Sequence, residues 1–295
     1  MARDWRLVVT KPLDGAANMA LDEALLRTRI RGAAPPTVRF YGWTPATVSL
    51  GYGQRLDSGV DLDACRRLGL GLVRRPTGGS AILHEPPTGE VTYSVVARAD
   101  DFAGADDVLA TFRVLGEGLR AGLGRLGVGG VEVVSPGGAR RADPAPAFCF
   151  ARAGAYELAV SGRKLVGSAQ RRQGGAFLQH GSVLLDADID RLRAVFPGAD
   201  PGAGITTLLT LLGRAPGFDT VSEALASGLA EALGCRLVAG GLSDEEAREA
   251  EALVAGKYAH PEWIRTGVAA APSGMDPVAL CGAGARGDGP APGGP

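Results

Sequence analysis

"YELAVSGRKLVGSAQRRQGGAFLQHGSVLL", residues 156 to 185, is where the chain states its fold class. "YELAV" and "KLVGSAQ" are strand-like runs flanking Ser161-Gly162-Arg163, a short glycine-containing turn of the kind that closes a hairpin. "AFLQHGSVLL" (176 to 185) follows at once, giving three closely spaced strands. Upstream, "TVRFYGW" and "TVSLGYG" read as two strands joined through Pro45, and "GLVRR", "AILHE" and "EVTYSVVA" as three more, broken by "PTGGS" and "PPTG".

Helices interleave with these runs without order. "NMALDEALLRTRI" (18 to 30) puts Leu21, Ala24, Leu25 and Thr28 on one stripe, with Asp22 and Glu23 in its first half. "DLDACRRLG" (61 to 69) ends at Gly69, a natural C-cap. A long helical pattern runs from about Asp106 to Leu126. Beyond the hairpin the chain is mainly helical, and Ser243 followed by Glu246 opens one helix as a capping pair. No regular βαβα alternation emerges, so the expected class is α+β with a mixed, largely antiparallel sheet flanked by helices. Residues 1–265 read as one domain. Residues 266–295, which include "CGAGARGDGPAPGGP", hold too few large apolar side chains to offset ordering and read as a disordered tail.

Composition narrows function by exclusion. Hydrophobic residues at 45% with 21% charged describe an ordinary soluble protein, and no run of eighteen apolar residues offers a membrane span. The start, "MARDWRLVVTKPLDG", lacks a secretory pattern, so a cytoplasmic location is expected. A net charge of −1 supplies no field for nucleic acid. Cys65, Cys149, Cys235 and Cys281 are far apart with no C-x-x-C, which argues against zinc and against a disulfide framework. No Walker loop or dinucleotide fingerprint is present, and neither metal nor cofactor is expected. Lysine is scarce (Lys11, Lys164, Lys257), so each one retained draws interest.

Three stretches stand out: "RRPTGGSAILHE" (74 to 85), "GRKLVGSAQRR" (162 to 172) and "QHGSVLL" (179 to 185). Each alone has an ordinary reading. Thr-Gly-Gly between strands is usually a turn, His84 and His180 structural histidines, Lys164 a solvated lysine, and Cys149 between Phe148 and Phe150 core. Together they resemble the lipoate–protein ligase and octanoyltransferase family, whose catalytic domain is itself similar to that of biotin–protein ligase. The family pattern R-R-x-x-G-G-x-x-x-x-H, K-x-x-G-x-A-x-x-R and H-G-x-x-L-L is met by Arg74 to Gly79 with His84, by Lys164 to Arg172, and by His180 to Leu185. "NMALDEALL" and "KYAHPEW" fit too, so the resemblance spans roughly residues 5 to 265. One departure is "HEPPTGEVTYSVV", with Glu85 and two prolines where many relatives carry H-D and a shorter polar run.

The resemblance implies that residues 1–265 are an acyltransferase catalytic domain. It implies Cys149 and Lys164 as catalytic residues, and an acyl site built from Arg74, Gly78, Gly79, His84, Gly167, Ser168, Ala169, His180 and Gly181. Small residues suit a narrow acyl tunnel, and an octanoyl tail buried there contributes about 0.8 kcal/mol per methylene, roughly 5 kcal/mol in all. Lys164 would set an ammonium near the carbonyl where negative charge grows. Arg74, Arg75, Arg171 and Arg172 are candidate positive charge for an acidic carrier, and Arg140 and Arg141 mark a loop near the site.

Ligases of this family carry an N-G-R-N-D-like segment before the "YEL" strand, whereas this chain has Ala147-Phe148-Cys149-Phe150. That resembles the cysteine-dependent octanoyltransferases. The implied reaction is ping-pong: the Cys149 thiolate takes octanoyl from octanoyl-acyl carrier protein, and a lysine of a lipoyl-domain or glycine-cleavage H-type protein then takes it as an amide. A nearby Lys164 ammonium would favour the thiolate. No acid partner that would complete a triad is evident in the sequence. The enzyme is expected to act as a monomer, without nucleic acid or membrane. The alternatives are an ATP-dependent lipoate ligase, a cysteine-dependent amidotransferase between proteins, and a non-catalytic binder of an acyl group or carrier domain.

Overall fold

The computed structural model describes residues 3–103, 107–134 and 157–269. Cys149, Arg140, Arg141, Cys281 and the tail beyond residue 269 lie outside them. The elements in chain order are β1 (Arg3–Val9), α1 (Gly15–Ile30), β2 (Thr37–Tyr41), β3 (Thr47–Leu50), α2 (Leu62–Arg67), β4 (Gly71–Arg74), β5 (Ile82–His84) and β6 (Glu90–Arg98). Then come α3 (Val108–Arg125), β7 (Val131–Val133), β8 (Leu158–Val160), β9 (Arg163–Gln173) and β10 (Ala176–Leu184). The chain continues through α4 (Ile189–Val195), α5 (Pro201–Gly204), α6 (Leu208–Leu212), α7 (Phe218–Leu233), β11 (Cys235–Ala239) and α8 (Asp244–Leu253). A π-helical turn (Val254–Tyr258) leads into α9 (Pro261–Thr266), so Thr266, read as the first residue of the tail, closes a helix instead.

The turn at 161–162 forms the expected hairpin, with φ of 50° at Ser161 and 74° at Gly162, the positive pair that a two-residue turn of matching twist requires. That hairpin belongs to the main sheet, ordered β11-β1-β2-β6-β10-β9-β8-β7. β2, β6, β10, β9, β8 and β7 pair antiparallel in succession, while β1 pairs parallel with both β2 and β11. The sheet is therefore mixed and largely antiparallel, within an α+β fold. A second sheet, β4-β3-β5, carries the glycine loop between β4 and β5.

The pleat sends alternate residues to opposite faces. One face supplies Phe40, Tyr93, Val95 and Phe177 to a core covered by α3 and α7 through Leu115, Leu119, Leu225 and Leu229. α3 and α7 cross at glycines: a Cβ on Gly228 would lie 2.2 Å from the carbonyl oxygen of Gly118 and 2.5 Å from the nitrogen of Gly122. α1 lies against the opposite face, where Leu25 and Leu26 pack on Val96 and Leu178. It buries more than its apolar stripe, for Asp22 and Glu23 are inside as well. Glu23 is held by Lys257 at 2.6 Å and by Arg27 and Tyr258. Asp22 belongs to the site.

Candidate active site

Two rows of paired residues cross the α1 face of the sheet. Tyr41 pairs with Thr92, Thr92 with Ser182, and Ser182 with Gly167. Two residues along, Arg39 pairs with Ser94, Ser94 with His180, and His180 with Ala169. Between this face, α1 and the glycine loop is a cavity of about 120 Å³, bordered by Gly79, His84, Gly167, Ser168, Ala169, His180 and Gly181 among the candidates from sequence. Met19, Tyr41, Trp43, Arg75, Ile82, Thr92, Glu157 and Ser182 complete the lining.

Asp22 drops from α1 onto the second row. Its Oδ1 accepts from Arg39 at 2.8 Å and Ser94 at 2.9 Å, and its Oδ2 from Tyr41 at 2.9 Å and His180 Nδ1 at 2.9 Å. With Nδ1–H donating to the carboxylate, Nε2 is left to accept the Thr77 hydroxyl at 2.6 Å. Burial raises the Asp22 carboxyl, but the His180 hydrogen bond and the Arg39 charge outweigh it and hold it below the usual range. Burial lowers the His180 imidazole by more than Asp22 raises it, so it is neutral at pH 7. His84 repeats the scheme. Its Nδ1 lies 2.8 Å from Glu90 and its Nε2 2.8 Å from the Ser49 hydroxyl, while Trp43 stacks on the ring at 3.9 Å. Thr92 and Ser182 also donate to Glu90, at 2.5 and 2.6 Å, and Trp43 Nε1 donates to Thr92 at 2.8 Å.

The sequence suggested no acid partner for either histidine; the structure supplies Asp22 and Glu90. The result is a wall rich in polar side chains whose hydrogen-bonding groups bond one another. Such a surface costs an entering alkyl chain little, because the hydroxyls and imidazoles on the lining already have partners. Among the described residues the one unpartnered buried atom in the network, Arg39 Nε, lies behind the lining.

The glycine loop is fixed residue by residue. Arg171 donates to the Pro76 carbonyl, His180 holds the Thr77 side chain, and Arg75 donates to the carbonyls of Gly78 and Ser80. Gly51 must be glycine here, since a Cβ would sit 1.7 Å from the carbonyl oxygen of Gly79. Gly78 lies outside the cavity lining, on an adjoining surface groove that shares Gly79, Ser168 and Ala169 with it.

Arg74 is not part of the lining. Its guanidinium donates to six backbone carbonyls, those of Gly51, Tyr52, Gln54, Trp263, Ile264 and Arg265, and thereby ties α9 to the loop's foundation. Arg74 and Arg75, read as charge for an acidic carrier, are 1% and 5% exposed, so neither presents its cation to a protein partner. Arg171 and Arg172 are half-buried, and Arg172 lines the groove.

Lys164 is fully buried on β9, its Nζ 2.5 Å from Glu157, and it is Glu157 that borders the cavity. Both described cysteines suit packing: burial raises the thiol of Cys65, and that of Cys235 to about 11. Among the described residues no cluster suited to hold a metal ion is present, and no helix is long and apolar enough to cross a membrane.

Sequence reasoning missed Asp22, Glu90, Glu157, Met19 and the hydroxyls of Thr77 and Ser49. The one signal was Asp22-Glu23 inside the apolar run "NMALDEALL", where two adjacent acids point to different sides of a helix and both need partners.

This arrangement, a cavity between a mixed sheet, a buried helix and a glycine loop, coincides with a family match. The lipoyl protein ligase A/B catalytic domain matches residues 14–230, and the chain belongs to that family. Within it, the octanoyltransferase LipM of Symbiobacterium thermophilum is 44% identical over 275 residues, 89% of this chain and 98% of that protein. The octanoyltransferase LipM of Kyrpidia tusciae is 45% identical over 271 residues, 88% and 97% respectively. Among solved structures, a lipoate-protein ligase A bound with ATP superposes with a TM-score of 0.76 at 26% identity, covering 89% of this chain and 98% of that one. Ta0514 of T. acidophilum, a putative lipoate protein ligase with bound lipoic acid, gives a TM-score of 0.74 at 26% identity, covering 89% and 99%.

Proposed function

We propose that the protein carries an octanoyl group from octanoyl-acyl carrier protein, by way of a thioester on Cys149, to a lysine of a lipoyl-domain protein or a glycine-cleavage H-type protein. That it is an acyltransferase moving octanoyl in protein lipoylation follows from LipM relatives matched over nearly their whole length. The observation that carries the reading structurally is the cavity itself, walled by Gly79, Gly167, Ala169 and Gly181 and by polar side chains already bonded to one another. A linear acyl chain fits such a lining.

In the first step the Cys149 thiolate attacks the donor thioester and releases the carrier thiol. In the second, the acceptor amine attacks the octanoyl-cysteine, an amide forms, and the thiolate leaves. The first step exchanges like for like and the second is downhill, so the cycle requires no nucleotide. Lys164 supplies a cation behind the cavity wall, joined to it through Glu157, near where negative charge grows on the reacting carbonyl. The protein acts as a cytoplasmic monomer, with residues 1–265 as the catalytic domain.

A second reading, ATP-dependent ligation, is favoured by the likeness to a ligase solved with ATP. Mixing the protein with a lipoyl domain and octanoyl-carrier protein, with nucleotide removed by apyrase, separates the two. Acceptor mass increased by one octanoyl group supports the transferase. Modification seen only with free octanoate, ATP and magnesium makes the protein a ligase.

A further inference from the structure

The cavity has a direction. Its rim is formed by Gly79, which is exposed, and by Ser168 and Ala169, which are half-buried and shared with the surface groove. Away from the rim the lining includes Met19, Tyr41, Trp43 and Thr92, at 1%, 0%, 0% and 2% exposure. An acyl chain entering at the rim runs toward those four side chains.

Three of the four are locked. Tyr41 donates to Asp22, Trp43 donates to Thr92 and stacks on His84, and Thr92 donates to Glu90. Met19 makes none of these bonds. It is an unbranched thioether on α1, packed with Tyr41 and Trp43, and it fills whatever volume the fixed groups leave. Ile82, also on the lining, is β-branched and stiff, and Ala169 has only a methyl to offer. We infer that Met19 is the specificity-determining residue of this enzyme, closing the acyl tunnel and setting the chain length it accepts. This rests on the acyl-transfer reading of the same cavity.

Truncating Met19 removes atoms from the closed end and opens room for a longer tail; a larger side chain removes room. Each methylene newly buried is worth about fourfold in selectivity, so two give on the order of fifteenfold. The test is a competition in which the enzyme receives equimolar hexanoyl-, octanoyl- and decanoyl-carrier protein with a lipoyl domain, and the product ratio is read by mass. Met19→Ala is expected to raise the decanoyl:octanoyl ratio by about fifteenfold, and Met19→Phe the hexanoyl:octanoyl ratio in the same way. Met19→Leu, one atom shorter, carries the same sign as alanine with a smaller shift should alanine fail to fold. Active, folded variants with the wild-type ratio overturn the inference. A wild type that transfers none of the three chains instead overturns the acyl-transfer reading.

Discussion

Arg74 and Arg75 are adjacent in sequence, and both support the site by holding backbone. Arg74 satisfies six carbonyls from two distant segments, an arrangement that a guanidinium fork can make and an ammonium cannot. Arg74→Lys is therefore expected to behave much like Arg74→Ala, each losing on the order of 3 kcal/mol by urea denaturation because several buried carbonyls lose their donor. A lysine variant of wild-type stability would contradict that role. Thr77→Val leaves His180 Nε2 without its hydroxyl at a buried position, a loss of about 1–3 kcal/mol. It also unpins the glycine loop, so KM for the acyl donor should rise as well as Tm fall; an unchanged KM would make the bond purely structural. These roles were only partly legible in the sequence. The motifs marked His84 and His180, but the carboxylates that orient them come from other segments, Asp22 lying 158 residues from His180. No local pattern encodes that pairing.

At the scale of elements, local rules succeeded where a segment is decided by its own chemistry. The hairpin at Ser161-Gly162 and the Ser243–Glu246 capping box both form as read. Ser243→Ala should lower stability by about 1 kcal/mol, with the readout a shift in denaturation midpoint. What the sequence hid were β1, β7 and β11. β7 is three residues long at one edge of the sheet, and β11, at the other, is largely exposed, so neither shows a buried alternation. β1 pairs parallel on both sides, a long-range choice that its own residues do not announce. The α3–α7 crossing is likewise invisible locally. Gly228→Ala puts a methyl against backbone at 2.2 Å and should destabilise by about 1–3 kcal/mol, although alanine favours an isolated helix. A stabilised variant would mean that the helices do not meet there.

For the whole molecule, the buried network ties stability to pH. Burial places the folded-state value of His180 below the ordinary 6.5. As pH falls below about 6.5, the unfolded imidazole takes up a proton that the folded one refuses, so stability is lost in that window and is fully present above it. Denaturation midpoints between pH 8 and 5 should fall on acidification, and the slope should flatten in His180→Gln; an unchanged slope would place the dependence elsewhere.

The class of fold and the family were legible because glycines, histidines and one lysine recur at fixed spacing. The interior of the site was not, because it depends on which sheet rows face α1. Covalent acyl transfer through cysteine is read from the intact mass of the protein after mixing with octanoyl-carrier protein without ATP. One octanoyl adduct is expected on the wild type, none on Cys149→Ala, and discharge of the adduct on adding a lipoyl domain. No adduct on the wild type, or an equal adduct on Cys149→Ala, would contradict it.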